Sequence, residues 1–166
     1  MKEPALVIIK PDGTTKGLVA NILTKFARPD LEIVGVRIVR PTRTLAEEHY
    51  KHIKNKPFFE ETVAYFLGRF HKEKKLLAII YYGKDAIVQC RKIAGATNPE
   101  EADPNSIRGS YGRITTQGIY ENVVHVSSNK NEVQREIKLW FEPGDIVINL
   151  LPAKVIESVY RRRIWT

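Results

Sequence analysis

The chain has 166 residues, of which 43% are hydrophobic and 28% charged, a length and composition typical of one globular domain with its own core. Its 27 lysines and arginines against 19 acidic residues give a net charge of +8, which favours anionic partners such as nucleotides, nucleic acids or acidic surfaces. The lone cysteine, Cys90, excludes an intramolecular disulfide, and no apolar run reaches the roughly 20 residues that cross a bilayer. The N-terminal Met1–Pro4 leads into a strand-like run instead of a signal peptide, so we expect a cytoplasmic protein.

Apolar periodicity divides the chain into alternating strands and helices. It predicts, in chain order, a strand over 5–9, a helix over 15–27, a strand over 31–39, helices over 44–53 and 58–67, a strand over 76–82, a helix over 85–94, a strand around 122–128 and a helix over 132–141. Lys10–Gly13 is expected to stop the first strand. Thr44 and Glu47 form a capping box, and Asp85 can cap the helix that follows it.

Four strands with intervening helices favour an α+β fold, a ferredoxin-like sandwich with a four-stranded antiparallel sheet and helices packed on it. A doubly wound parallel sheet would need more strands. We expect residues 1–147 to form the domain. Residues 148–166, apolar and then basic, are expected to be an extension that packs on the domain or on a neighbouring subunit, in part as a short helix.

The segment Thr97–Thr116 is rich in Asn, Pro, Gly, Ser and Thr and has no periodicity. A loop of about 20 residues inside a compact domain is usually functional or disordered. Because this loop leads into the strand that carries His125, a functional loop is favoured.

The candidate chemistry centres on His125, set in the apolar run Asn122–Ser128. A strand holds such an imidazole rigid beside a cleft, although a strand histidine is more often structural. Lys10 at a strand end, with Arg91, Thr97 and Arg108, could neutralise an oligophosphate before a nucleophile approaches it. No Walker A pattern occurs, so a P-loop is excluded.

Aromatic residues near the start of a predicted helix suggest a base-binding surface. Phe58 could stack on a nucleotide base, although Phe58 and Phe59 are more often core residues. His49, His52 and His71 are interpreted as surface or packing residues.

Taken together and in order, these motifs resemble those of the nucleoside diphosphate kinase family. The landmarks are Ile8–Gly13, His49-Tyr50 six residues before Pro57-Phe58-Phe59, Gly95–Pro99, Ser106–Gly109 and Asn122–Ser127. The resemblance covers about residues 5–147, nearly the whole domain. It implies an enzyme that transfers the γ-phosphate of a nucleoside triphosphate to a nucleoside diphosphate by a ping-pong mechanism.

The resemblance also implies roles for individual residues. The catalytic residues would be His125, Lys10 and Glu136. His125 would be the nucleophile, Glu136 would bond its other imidazole nitrogen, and Ser127 would support that glutamate. The substrate-binding residues would be Lys10, Tyr50, Phe58, Arg91, Thr97, Arg108 and Asn122, with Phe58 stacking the base and Asn122 on the ribose. Mg²⁺ is expected to arrive with the nucleotide, because no carboxylate cluster indicates a dedicated metal site.

The sequence departs from the family pattern in three places. Val126 follows the histidine, where the family usually has Gly or Ala. Arg69–Lys75 replaces a shorter segment of the family. The stretch between Arg108 and His125 is several residues longer than in the commonest family form. Counted back from the histidine, Ile119 would be the residue that covers the base. The resemblance implies a homo-oligomer, commonly a hexamer or a tetramer built from dimers.

Two alternatives remain at this stage. One is a basic ferredoxin-like module that binds nucleic acid, although the RNA-recognition sequence pattern is absent. The other is a catalytically silent relative, against which the retention of Lys10, His125 and both arginines argues.

Overall fold

Four strands form one antiparallel sheet in the computed structural model, which describes residues 1–157. The strands are β1 (Lys2–Ile9), β2 (Leu31–Val39), β3 (Leu76–Lys84) and β6 (Val124–Val126), in the spatial order β2-β3-β1-β6. A separate two-stranded hairpin joins β4 (Arg113–Ile114) to β5 (Tyr120–Glu121). This is the predicted ferredoxin-like α+β sandwich, and the fold prediction is confirmed.

Helices cover the sheet. They are α1 (Pro11–Thr15), α2 (Val19–Phe26), α3 (Arg43–His49), α4 (Phe59–Phe66), α5 (Ala86–Ala94), α6 (Ile107–Tyr111) and α7 (Lys130–Trp140), with 3₁₀ turns at Lys51–Ile53, Pro99–Glu101 and Pro143–Asp145. Both α5 and α7 pack against β1. Residues Ala5–Ile9 of β1 are fully buried, so both faces of this strand are covered. Across residues 1–157, no helix is long and apolar enough to span a membrane.

The helix predicted over 15–27 is divided in two. Pro11 occupies the first turn of α1, where its missing N–H costs nothing, so the expected strand stop begins a helix. Gly17 then takes a φ of 69°, which separates α1 from α2.

Helix caps also differ from the predicted ones. Thr42, not Thr44, caps α3 by accepting a hydrogen bond from the Leu45 N–H at 3.2 Å. Asp85 precedes α5 as expected, but its φ of 50° leaves its side chain without a capping bond.

The segment after α7 returns to the sheet. Ile146 bridges Gly35 of β2, and the Val147 N–H donates to the Val34 carbonyl at 2.9 Å. Ile148, Leu150 and Leu151 then pack against the core. Residues 146–157 form no helix. The remainder of the expected extension, with the basic run Arg161–Arg163, lies outside the described residues.

The cap at α3 gives a stability prediction. Thr42→Ala should lower the free energy of unfolding by about 1 kcal/mol, because the Leu45 N–H loses its acceptor. Thr44→Ala, on the exposed side of the same helix, is the matched control and should cost nothing. Urea unfolding followed by circular dichroism measures both, and equal losses in the two variants would contradict the assignment of the cap.

Candidate active site

The imidazole of His125 sits on the short edge strand β6. In the register with β1, His125 lies opposite Ile8, and Val126 lies opposite Val7. The His125 side chain is 15% exposed, so it reaches the surface of a cleft while its backbone belongs to the sheet. Val126 is buried and also lines this cleft.

A strained turn leads into β6. Val123 has a φ of 54°, and the Val124 N–H donates to the Asn122 carbonyl at 2.6 Å, which is the bond of a γ-turn. A β-branched residue in this region costs of order 1–3 kcal/mol and persists only where its surroundings hold it. The strain shortens the strand expected over 122–128.

Asp12 holds that turn. Its buried carboxylate accepts the Val123 N–H at 2.9 Å, and the Lys10 N–H donates to the Val123 carbonyl at 2.8 Å. The sequence pattern indicates only a strand stop at this position. The sequence feature that could have indicated this role is the position of Asp12 within the motif Lys10–Gly13.

Glu136 of α7 lies behind the imidazole. Its Oε2 is 3.1 Å from His125 Nε2 and also accepts the Ser127 hydroxyl. Burial alone would raise the pKa of this carboxyl, but the charge of His125 and the hydrogen bonds from His125 and Ser127 outweigh it and lower the pKa. The ionised carboxylate favours a proton on Nε2, which leaves Nδ1 as the unprotonated nitrogen for the cleft.

His49 forms a second layer beneath His125. It is fully buried, its ring meets the His125 ring edge-on at 4.3 Å between centroids, and its Nδ1 accepts the Trp140 indole N–H at 3.2 Å. Burial, followed by the charge of His125, holds the pKa of His49 well below its usual range. His49 is therefore a neutral packing residue, as expected, but one in direct contact with the candidate nucleophile.

Lys10 connects to the polar wall of the cleft. Its Nζ donates to the Asn122 amide oxygen at 2.6 Å, and the Asn122 amide nitrogen donates to the Thr97 carbonyl at 2.9 Å. Burial lowers the pKa of Lys10 to about 8, with Arg108 adding to the shift and Asp12 opposing it. Lys10 is thus a desolvated cation without a salt bridge in the described part of the chain.

Two arginines complete the cationic side. Arg108 is buried and donates to the carbonyls of Gly95 and Val124 at 2.8 and 3.0 Å. Burial, followed by the charge of Arg91, lowers the pKa of Arg108 to about 10. Arg91 is exposed on α5. The two guanidinium groups repel each other, so an anion between them is favoured.

His125 and the polar and cationic groups around it line one cleft of about 670 Å³. Every substrate-binding residue predicted from the sequence lines it, together with the candidate nucleophile: Lys10, Tyr50, Phe58, Arg91, Thr97, Arg108, Asn122 and His125. Glu136 and Ser127 lie behind His125. Burial, followed by the charge of Glu136, raises the pKa of Tyr50, so its phenol stays protonated.

The other part of the cleft is apolar. Phe58 is 50% exposed and faces the cleft, whereas Phe59 is 7% exposed and belongs to the core. Ile119 and Tyr120 of the hairpin line the cleft as well, as the spacing indicates for Ile119. The cleft therefore combines a cationic region with an apolar one, which suits a nucleotide.

One group among residues 1–157 has the side chains to hold a metal: His49, His125 and Glu136. Mg²⁺ prefers oxygen ligands in an octahedral shell and retains several waters. The group offers two imidazoles and one carboxylate, and these are already bonded to Trp140, to Ser127 and to one another, so it does not fit Mg²⁺.

Known proteins share the fold and the sequence. The sequence model of the family "Nucleoside diphosphate kinase" matches residues 3–146. A nucleoside diphosphate kinase of Pyrococcus furiosus is 41% identical over 144 residues, which cover 87% of this chain and 86% of that protein. The Aquifex aeolicus enzyme superposes with a TM-score of 0.77 at 34% identity, covering 88% of this chain and 99% of that one. A Halobacterium salinarum enzyme in complex with CDP has a TM-score of 0.78 at 33% identity, covering 89% and 93%.

The fold and the site together define a phosphotransferase built on a ferredoxin-like sandwich. The family match and the identity to these relatives show that the chain belongs to the nucleoside diphosphate kinase family. The family prediction is confirmed, and kinase activity is supported over a nucleic-acid-binding module or a silent relative.

The depressed pKa of Lys10 gives a pH-dependent prediction. Acetylation of Lys10 by pulses of acetic anhydride should reach half its maximal rate near pH 8, because the neutral amine is the reactive form and burial lowers its pKa. Lys51, a surface lysine, is the control, and the profile of Lys10 should lie at lower pH than the profile of Lys51. Mass spectrometry of peptides gives both profiles, and coincident profiles would contradict the desolvated state of Lys10.

Proposed function

We propose that this protein is a nucleoside diphosphate kinase that works through a phosphohistidine at His125. The observation that carries the proposal is the arrangement of one imidazole: Nε2 is bound by the buried carboxylate of Glu136, while Nδ1 is left to a cleft lined by Lys10, Arg91 and Arg108. A neutral imidazole is a competent nucleophile near pH 7.

In the first half-reaction, His125 Nδ1 attacks the γ-phosphorus of a nucleoside triphosphate. The new N–P bond forms as the bond between the γ-phosphorus and the β,γ-bridging oxygen breaks, and the nucleoside diphosphate leaves with that oxygen. The imidazole becomes positively charged while Nε2 keeps its proton. The Glu136 carboxylate stabilises this charge at a distance of 3.1 Å from Nε2.

In the second half-reaction, a terminal β-phosphate oxygen of another nucleoside diphosphate attacks the phosphohistidine. The N–P bond breaks, Nδ1 recovers its electron pair, and a new triphosphate is released. Since the two diphosphates occupy the cleft in turn, one set of phosphate-binding groups serves both half-reactions, which is a ping-pong scheme.

The substrate is held by both parts of the cleft. Lys10, Tyr50, Arg91, Thr97 and Arg108 would bind the phosphates, Asn122 the ribose and Phe58 one face of the base. Stacking without hydrogen bonds to the base edges gives little selectivity among bases. The CDP bound to the Halobacterium salinarum relative supports a nucleoside diphosphate as the ligand.

Magnesium belongs to the substrate in this proposal. A triphosphate is normally handled as its metal complex, in which the ion bridges phosphate oxygens and offsets their charge. The poor fit of the His49, His125 and Glu136 group to Mg²⁺ supports an ion that arrives with the nucleotide.

We also propose a cytoplasmic location, supported by the buried, unpaired thiol of Cys90, which suits a reducing compartment.

Nucleoside di- and triphosphates are the proposed partners. The positive charge also permits binding of nucleic acid, which no motif indicates.

Phosphorylation of the protein tests the mechanism. Incubation with γ-labelled ATP should give an acid-labile, base-stable label on the wild-type protein, because phosphohistidine has that stability, and none on His125→Ala. His52→Gln is the matched histidine control and should keep the label. A wild-type protein that takes up no label, or a His125→Ala variant labelled as well as the wild type, would refute the proposal.

Homo-oligomerisation, as a hexamer or a tetramer built from dimers, is part of the proposal. Strand β2 is an edge strand, and its Ile33, Val36 and Ile38 are exposed apolar residues that a second copy could cover.

The edge strand gives an assembly prediction. Wild-type protein should elute as a multiple of the 19.0 kDa chain in gel filtration with light scattering. Ile38→Lys should reduce that mass, because burying the charge opposes contact between edges. Val88→Lys is the control, as Val88 is 66% exposed on α5 and Ile38 is 73% exposed. A monomeric wild-type protein would contradict the proposal.

A further inference from the structure

The two insertions that depart from the family pattern meet at a single carboxylate. Glu121 ends the β4–β5 hairpin, and its carboxylate binds three cationic or donor side chains. It lies 2.8 Å from Lys16 Nζ, 3.0 Å from His71 Nε2 and 2.6 Å from Arg113 Nε. His71 comes from the first insertion and Glu121 from the second, so neither insertion is an independent surface loop.

The carboxylate of Glu121 is buried and charged. Its side chain is 7% exposed. Burial would raise its pKa, but the hydrogen bonds from Arg113, Lys16 and His71 outweigh burial and lower the pKa to about 2. Charge-assisted hydrogen bonds are about twice as strong as neutral ones, so an ionised acceptor with three partners is a firm attachment.

Glu121 attaches the hairpin to two separate parts of the domain. Lys16 lies in the link between α1 and α2, next to the helix that follows Lys10. His71 lies between α4 and β3, and its ring contacts the Tyr65 ring edge-on at 5.4 Å between centroids. Tyr65 itself lines the cleft. The contacts of Glu121 with His71, and of His71 with Tyr65, therefore connect the hairpin to the segment of the site that carries Tyr65.

The hairpin needs this attachment. Two short strands with two paired positions are not stable by themselves. The turn between them is internally bonded, with the Thr115 N–H donating to the Ile119 carbonyl at 2.9 Å and the Ile119 N–H to the Thr115 hydroxyl at 3.0 Å. The hairpin therefore behaves as one unit, and the contacts of Glu121 with the rest of the domain fix its position.

That position sets the apolar part of the cleft. Ile119 and Tyr120, the two residues before Glu121, line the cleft together with Phe58. Asn122, the residue after Glu121, is held separately by Lys10 and by the Thr97 carbonyl. Displacement of the hairpin would thus remove a wall from the base while leaving the phosphate groups in place.

We propose that Glu121 is a positioning residue that clamps the β4–β5 hairpin over the nucleoside end of the cleft and so determines affinity for the base. The inference rests on the proposed function, because it requires that the cleft take a nucleoside diphosphate. It assigns a role to the two insertions, which are joined by the contact between His71 and the Glu121 carboxylate.

Two ligands distinguish a role of Glu121 in base binding from a general effect on the whole cleft. ADP carries a nucleoside, whereas inorganic tripolyphosphate carries phosphates alone. In Glu121→Gln, the affinity for ADP measured by calorimetry should fall about tenfold, the effect of losing one stacking contact to a base, whereas tripolyphosphate affinity should stay within about twofold. In steady-state assays the KM for nucleoside diphosphates should rise while kcat is largely kept.

Matched variants complete the test. Glu3→Gln is the control, because Glu3 is also a largely buried glutamate paired with a lysine, Lys130 at 3.4 Å, at the opposite end of β1 from Lys10. It should change neither affinity. If Glu121→Gln fails to fold, His71→Ala and Lys16→Gln each remove one of the two partners outside the hairpin and should show the same selective loss at smaller size.

The outcomes are distinct. Equal weakening of ADP and tripolyphosphate binding, or no change in either, would overturn the role of Glu121. A wild-type protein that binds neither ADP nor ATP and accepts no label would instead refute the proposed function. A selective loss of ADP affinity with phosphorylation of His125 intact supports both.

Discussion

The site depends on the hydrogen bond from the Val123 N–H to the buried carboxylate of Asp12. This bond holds a β-branched residue in a left-handed conformation that the chain does not adopt freely. Asn122 lies before the turn and His125 after it, so one strained residue sets the orientation of both. Because β6 has three residues, pairing with β1 alone would fix His125 less firmly.

Behind the imidazole of His125, the arrangement is electrostatic. The Glu136 carboxylate is ionised although it is fully buried, and its attraction for a positive imidazole is stronger there than in water. Ser127 and His125 both bond the same carboxylate oxygen, while His49 and Trp140 pack beneath without adding charge. Little reorganisation is then needed when the imidazole becomes positive.

The cationic side of the cleft is built at a cost in stability. Burial lowers the pKa of Lys10 to about 8 and that of Arg108 to about 10, which means that the folded protein disfavours both charges. Such groups weaken a fold unless they serve a ligand. In the proposed function, an oligophosphate would supply the missing negative charge, so the groups that destabilise the free protein would favour the complex.

Apolar periodicity and the order of motifs are local properties of the chain, and they are sufficient to predict the sandwich and the residues that line the cleft. Strand β2 matches its predicted range, and Phe58 and His125 reach the cleft as the motifs indicate. The contacts between these residues, by contrast, are established on folding. The cap of α3 is Thr42 and not the predicted Thr44, because Thr42 has the extended backbone angles of a cap residue. Asp12 acquired its role, and Glu121 two of its three partners, Lys16 and His71, from residues distant in the chain, and no local pattern encodes such long-range contacts.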